Sequence, residues 1–171
     1  MPNSQPLSRP HCFSGKLLTV EDLTQEQTYV IEKLKRHNRS LHGFGVVFGL
    51  RVTIDAGKIK ISSGMALDCA GNEIVIPSDQ SLSPPPVDWR VAFVTVKYGE
   101  RCEGVVQQNE PSAVVEAFEL ILAKDNENRG HRHERARWLS CGKVHGLTVA
   151  KIKRVEKGWR VDRRYRPPVI K

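Results

Sequence analysis

HGFGVVFGL, residues 42–50, spaces its glycines as G-x-G-x-x-x-G, one residue longer than the G-x-G-x-x-G of dinucleotide-binding loops. A phosphate-cradling loop leaves a strand and opens a helix, so that the helix N-terminus meets the pyrophosphate. The surroundings of 42–50 run the other way. Upstream lies TVEDLTQEQTYVIEKLKRHNRSL, residues 19–41, with apolar positions at Val20, Leu23, Val30, Ile31, Leu34 and Leu41. Gln27 and Asn38 fill the gaps, so the spacing is three-four and predicts a helix with one buried stripe. Thr19 with Asp22 forms a capping-box pattern, acidic residues open the helix, and Lys33, Lys35 and Arg36 close it. Downstream of Gly43 the period changes to two. The glycines therefore follow a helix and open a strand, where the helix dipole repels phosphate. They are read as structural: a helix stop at Gly43, then a bulge or close backbone approach at Gly45 and Gly49.

From this helix-to-strand step the rest of the chain reads as β. GVVFGLRVTID and KIKISSG flank a turn at Ala56-Gly57, and MALDCAGNEIVIP folds about Ala70-Gly71-Asn72. QSLSPPPVD is read as a proline-rich loop and WRVAFVTVKYGE as a strong strand. SAVVEAFELILAK fits either period; its β-branched and aromatic content points to strand. DNENRGHRHERAR is a polar loop, and WLSCGK, GLTVAKIKRV and GWRVD are closing strands, with a turn at Glu156-Lys157-Gly158. The sum is some eight to ten strands, which favours an antiparallel sandwich or barrel. Three parts follow: an extended docking arm at 1–18, spaced by Pro2, Pro6 and Pro10; an amphipathic helix at 19–42 packed on the sandwich; and the sandwich with its basic tail at 43–171.

The chain has 171 residues, enough for one domain with a real core. No apolar run reaches membrane-spanning length. MPNSQPLSRPHC lacks the apolar region of a secretory signal, so the expectation is a product assembled in the cytoplasm, or one that leaves the cell without a cleaved signal. Cys12, Cys69, Cys102 and Cys141 are widely spaced without a C-x-x-C, and reduced thiols are the default. The net charge is +8, and from Lys151 onward nine basic residues face only Glu156 and Asp162. Such a balance suits nucleic acid, a membrane surface or an acidic protein. Aromatics are only 6%, which leaves few stacking platforms for single strands, and the basic stretch is read as a solvated edge or a protein-docking face.

Chemistry-bearing clusters are few. His131, His133, Cys141 and His145 fall within fifteen residues, but their spacing matches no standard zinc finger. Cys141 and His145 carry no nucleophile signature, and Asp68 and Glu73 merely flank a turn. No cofactor and no catalysis are expected. Asn38 is placed to face inward and satisfy backbone where helix gives way to strand, and Arg39 to pair with Asp22 or Glu26 of a neighbour or with the first strand.

Two segments bracketing the chain carry a resemblance. FSGKLLTVEDLTQEQTYVIEKLKRHNRSLHGFGVVFGLRV, residues 13–52, resembles small proteins of phage-tail-like contractile injection systems. More distantly it resembles the start of the type VI secretion baseplate subunit that joins wedge to membrane complex. Phe13, Gly15, Leu17, Leu18, Gln25, Gln27 and Tyr29 stand in that family's opening roles, and Phe44-Gly45-Val46 in its step into a strand. SSGMALDCAGNEIVIP is similar to its Gly-rich hairpin. At the far end Thr148–Ile152, Val161-Asp162 and Tyr165-Arg166-Pro167-Pro168 match the close of its first domain, with Lys151 where Arg is usual and no Pro before Val149. The resemblance implies a β-sandwich like the shoulder of phage receptor-binding proteins, plugged into a baseplate beside wedge or fibre subunits. It implies docking through Phe13, Gly15, Leu17, Leu18, Tyr29, Tyr165, Arg166, Pro167 and Pro168. The neck and head that support the subunit's trimer and membrane docking lie beyond the matched part, so neither is carried over; a homo-oligomer is open, with a trimer favoured by the resemblance only. Two rival readings are a basic nucleic-acid-binding β-barrel and a zinc-dependent enzyme using the His/Cys cluster.

Overall fold

A computed structural model describes residues 6–104, 112–126 and 146–170. The helix (α1, Val20–His37) starts at the expected capping box: the Thr19 side chain accepts from the Asp22 amide, and the Asp22 carboxylate accepts from the Thr19 amide. A π-helical turn, Asn38–His42, follows it and ends at Gly43 with φ 78°.

The next two hairpins decide the architecture. Strands β1 (Gly45–Gly49) and β2 (Val52–Asp55) turn at Ala56-Gly57 into β3 (Lys58–Ile61) and β4 (Gly64–Leu67). The register runs through both halves, from Asp55↔Lys58 and Val52↔Ile61 to Gly49↔Gly64 and Phe48↔Met65. These four strands are thus one long hairpin, bent at Leu50-Arg51 and Ser62-Ser63, and each half belongs to a different sheet. The bend explains the glycines. A Cβ on Gly49 would lie 2.1 Å from the Ser63 carbonyl oxygen, and one on Gly45 would lie 2.8 Å from the Pro168 carbonyl. A bulge between Val46 and Phe48 adds to the twist.

Three antiparallel sheets result: β1-β4-β5, with β5 at Glu73–Ile76; β2-β3-β6, with β6 at Gln80–Leu82; and β10-β9-β7-β8. In the last, β7 (Val91–Glu103) and β8 (Ala113–Ala123) form a long hairpin, β9 (Leu147–Val155) pairs with β7, and β10 (Gly158–Val161) closes the edge. The fold is the expected antiparallel, sandwich-like β architecture with one N-terminal helix, and the ambiguous SAVVEAFELILAK segment is strand. One reading is corrected: the QSLSPPPVD loop begins with β6, because the edge of β3 offers a partner that a short polar stretch does not advertise. WLSCGK and most of DNENRGHRHERAR lie outside the described residues.

The core lies between the sheets. Ile59, Ile61, Ile74, Val94, Val96 and Ile152 are fully buried. Among the described residues the one polar pair at this depth that bridges strands is Thr95 and Thr148, whose hydroxyls stand 3.2 Å apart across β7 and β9.

Candidate partner-docking surfaces

α1 is fixed to the body at one end. Gly71, in the β4–β5 turn, lies so close to the helix that a Cβ would meet the Lys35 carbonyl oxygen at 2.2 Å. Asn38, 5% exposed, donates from Nδ2 to the Gly71 carbonyl at 3.0 Å and to Glu73 Oε1 at 3.3 Å. The Arg39 guanidinium donates to the Ala70 carbonyl. Asn38 does face inward, but its partner is this turn and not the helix–strand junction. Arg39 likewise reaches the turn within the same chain rather than an acidic neighbour. The turn is itself braced by Asp68, whose carboxylate accepts from the Ala70 and Asn72 amides and from Asn72 Nδ2 at 2.7–2.9 Å. Asp68 is therefore committed to holding a turn, while Glu73 accepts from Asn38.

Beyond that anchor the apolar stripe is open. No residue of α1 is buried, and Val20, Leu23, Val30, Ile31 and Leu34 are each 49–74% exposed. The expected burial of this stripe is not achieved by the described residues. An amphipathic pattern shows that a face needs covering; it does not say by what. Residues 6–18 of the arm do not cover it. Residues 13–16 turn at Ser14-Gly15, where Lys16 donates to the Phe13 carbonyl at 3.1 Å and Gly15 has φ 86°. From there the arm meets the opposite face: Lys16 Nζ bonds Asp22 at 2.8 Å, Ser8 Oγ accepts from Gln25 at 3.0 Å, and Arg9 lies over the Tyr29 ring at 5.7 Å. Positions 22, 25 and 29 share one side of a helix, and 20, 23, 27, 30 and 34 share the other. The hydrogen bonds from Lys16 and the Thr19 amide hold the Asp22 carboxyl below its usual range.

Opposite the stripe, the β7–β8 hairpin runs past the core. Between them opens a cleft of about 630 Å³ flanked by Ile31, Leu34, Tyr98 and Val114. Among the described residues its carboxylates are Glu73, Glu100 and Glu116, against Lys35 alone. Tyr98 donates to Glu100 Oε1 at 2.7 Å, and burial together with that carboxylate pushes the phenol pKa up.

The residues singled out from the sequence fall into two groups. Phe13, Leu17 and Leu18 are 63%, 84% and 53% exposed, and with Gly15 they belong to the arm, whose anchor on the helix includes Tyr29. The tail group is built into the body. The Tyr165 hydroxyl donates to the Thr148 carbonyl at 3.2 Å, its ring stands edge-on to Phe93 at 6.2 Å, and burial raises its pKa. Val46 donates to the Pro168 carbonyl at 2.8 Å and accepts from the Ile170 amide at 3.0 Å, so the tail pairs with β1 through a parallel bridge. Arg166 folds back onto the Arg163 carbonyl, and Pro167 is half-buried. Against the tail lies a second groove of about 650 Å³, bordered by Arg51 and Val52. The sequence reading missed it, since its two walls come from opposite ends of the chain, residues 46–53 and 149–169.

His131, His133, Cys141 and His145 lie outside the described residues; among the described ones no three metal-ligating side chains cluster. Also among the described residues, no helix is long and apolar enough to cross a membrane.

No protein-family model and no curated protein matches the chain. Solved structures do. A chain in the cryo-electron microscopy structure of the type VI secretion TssK–TssF–TssG baseplate subcomplex matches with a TM-score of 0.58 and 14% identity, over 96% of this chain and 62% of that one. A chain of the type VI secretion baseplate complex matches with a TM-score of 0.52 and 16% identity, over 96% and 60%. The crystal structure of TssK matches with a TM-score of 0.55 and 13% identity, over 96% and 42%. The present chain therefore spans about three fifths of the first two and less of the third. What they share with it is the fold, along nearly its whole length, and this is the resemblance expected from the two end segments.

Proposed function

We propose that this chain is a structural, non-catalytic baseplate component of a contractile phage-tail-like particle, docked onto wedge or fibre subunits. The observation that carries the reading is the fold match over 96% of the chain to structures of type VI baseplates. Its open surfaces support a docking role: an uncovered apolar helix face, and an arm that presents Phe13, Leu17 and Leu18 to solvent. Apolar area left bare by the chain's own fold is area that a neighbour can remove from water. Assembly in the cytoplasm before incorporation, and a homo-oligomer that the resemblance makes a trimer, belong to the same proposal.

The test is an affinity pull-down of the tagged chain from its native host, read by mass spectrometry and negative-stain microscopy. Sheath, tube and wedge proteins with tail-like particles on the grid are expected. A clean chain, or one that brings down nucleic acid, would mean that only the fold is shared.

A further inference from the structure

Three sheet edges converge beside the tail. In the strand order β1, β2 and β10 each lie at the edge of their sheet. The edge of β1 is taken at Val46 by the tail itself. The groove of about 650 Å³ lies along β1 and β2, with aliphatic lining from Val46, Val52, Val149 and Val169. A smaller hollow of about 260 Å³ continues from it beside β10, the two sharing Val161, Asp162 and Arg163.

The charge along this path is one-sided. Arg51, Arg163 and Arg166 line the groove, and Lys153, Arg160 and Arg164 line the hollow. Asp162 is the one carboxylate in either lining among the described residues. It is already engaged, by Lys153 Nζ at 2.8 Å and the Arg164 amide at 3.1 Å. The cleft under α1 has the opposite balance, so the basic path is a local feature and not merely the surface average of a basic chain.

We infer that this groove binds an acidic, extended protein segment, with alternate side chains divided between the aliphatic lining and the arginines. A strand's side chains alternate between two faces, which matches an apolar floor beneath a cationic rim. Edge strands offer main-chain groups for added pairing, and guanidinium groups recognise carboxylates with two parallel hydrogen bonds. Nucleic acid fits less well. Its phosphates would meet the arginines, but the floor is aliphatic where unpaired bases need aromatic stacking, and Tyr165 is spent on Phe93 and Thr148. The inference rests on the docking reading above and names the chemistry of one partner surface.

Fluorescence anisotropy of the full chain tests it with three labelled anionic probes. These are an octapeptide of alternating Glu and Val, its Glu-Ser counterpart, and a charge-matched oligothymidylate. The Glu-Val peptide is expected to bind at least about tenfold more tightly than either other probe. The Arg51→Glu, Arg163→Glu double variant should weaken it by about tenfold or more, with Arg51→Gln, Arg163→Gln as the milder pair should the first not fold. Equal binding of all three probes, tighter binding of the oligothymidylate, or no loss in the variants would overturn the inference. The host pull-down separates the two proposals. Sheath and tube proteins recovered without peptide binding would sink the groove alone; peptide binding without those proteins would sink the baseplate reading alone.

Discussion

Ile61 in β3 and Leu34 in α1 are both aliphatic residues placed by a regular apolar period, yet Ile61 is 0% exposed and Leu34 49%. The difference runs through the whole molecule. The β body seals its core faces with other parts of the same chain, because its bent hairpin carries strands from one sheet into another, although Phe48, Val75 and Val114 stand exposed on its outer faces. The arm and helix satisfy only their polar side internally. They are held by a capping box, an ion pair, and a polar clamp onto the β4–β5 turn. One region has its stability inside itself. The other leaves its apolar stripe exposed and has only a few polar contacts to hold it in place.

Substitutions can break or sharpen this contrast. The largest effect on stability belongs to the body: Ile61→Ala should cost about 2–5 kcal/mol in urea unfolding, since it opens a cavity in a sealed core. A loss below about 0.5 kcal/mol would mean that the body is loosely packed as well. Asn38→Ala comes next, at about 1–3 kcal/mol, because it strips the buried Gly71 carbonyl of its donor. Hydrogen exchange should then speed up in α1 more than in β7 and β9; uniform acceleration would mean that helix and body unfold as one unit. Thr19→Ala should cost about 1 kcal/mol and fray only the first turn, visible as helical signal lost by circular dichroism.

A pH prediction follows from Asp22. Its carboxyl is held low by Lys16 and the Thr19 amide, so folding favours the ionised form. The contribution is complete above the ordinary aspartate value of 3.8 and is lost as pH falls through the lower value of the folded state. Acid titration should loosen the start of α1 in that window, and Asp22→Asn should remove the dependence; an unchanged acid profile in the variant would assign it to other carboxylates. The smallest effect on stability is expected at the stripe. Ile31→Gln with Leu34→Gln should change unfolding by no more than about 0.5 kcal/mol, since both residues are half in water. The same pair should abolish recovery of particle proteins in the pull-down. Destabilisation by several kcal/mol would show that the stripe is covered within the chain, and the contrast would fail.

Local signals carried most of the β reading. Alternation, turn residues and β-branched content marked all the strands except β6, whose QSL depends on the edge of β3 for its pairing. The capping box and the helix stop at Gly43 were legible because both lie within a few residues of what they act on. The two groups of residues proposed for docking were legible as names only. Phe13, Leu17 and Leu18 stand open, but Tyr165 and Pro168 spend their polar groups on Thr148 and Val46, partners remote in sequence that no short-range pattern indicates.

By itself, then, the sequence determined that the GxGxxxG stretch could not be a phosphate loop, that a helix precedes a β body, and that the tail is basic. Each follows from period, cap and charge within a single segment. The tertiary structure alone decided that Gly49 and Gly64 meet at the corner of one hairpin and that Gly71 seats the helix. It also decided that the apolar stripe stays bare while Arg51 joins the tail's arginines around one groove. Those outcomes depend on which distant surfaces come together, and burial is a property of the assembled pair rather than of either segment.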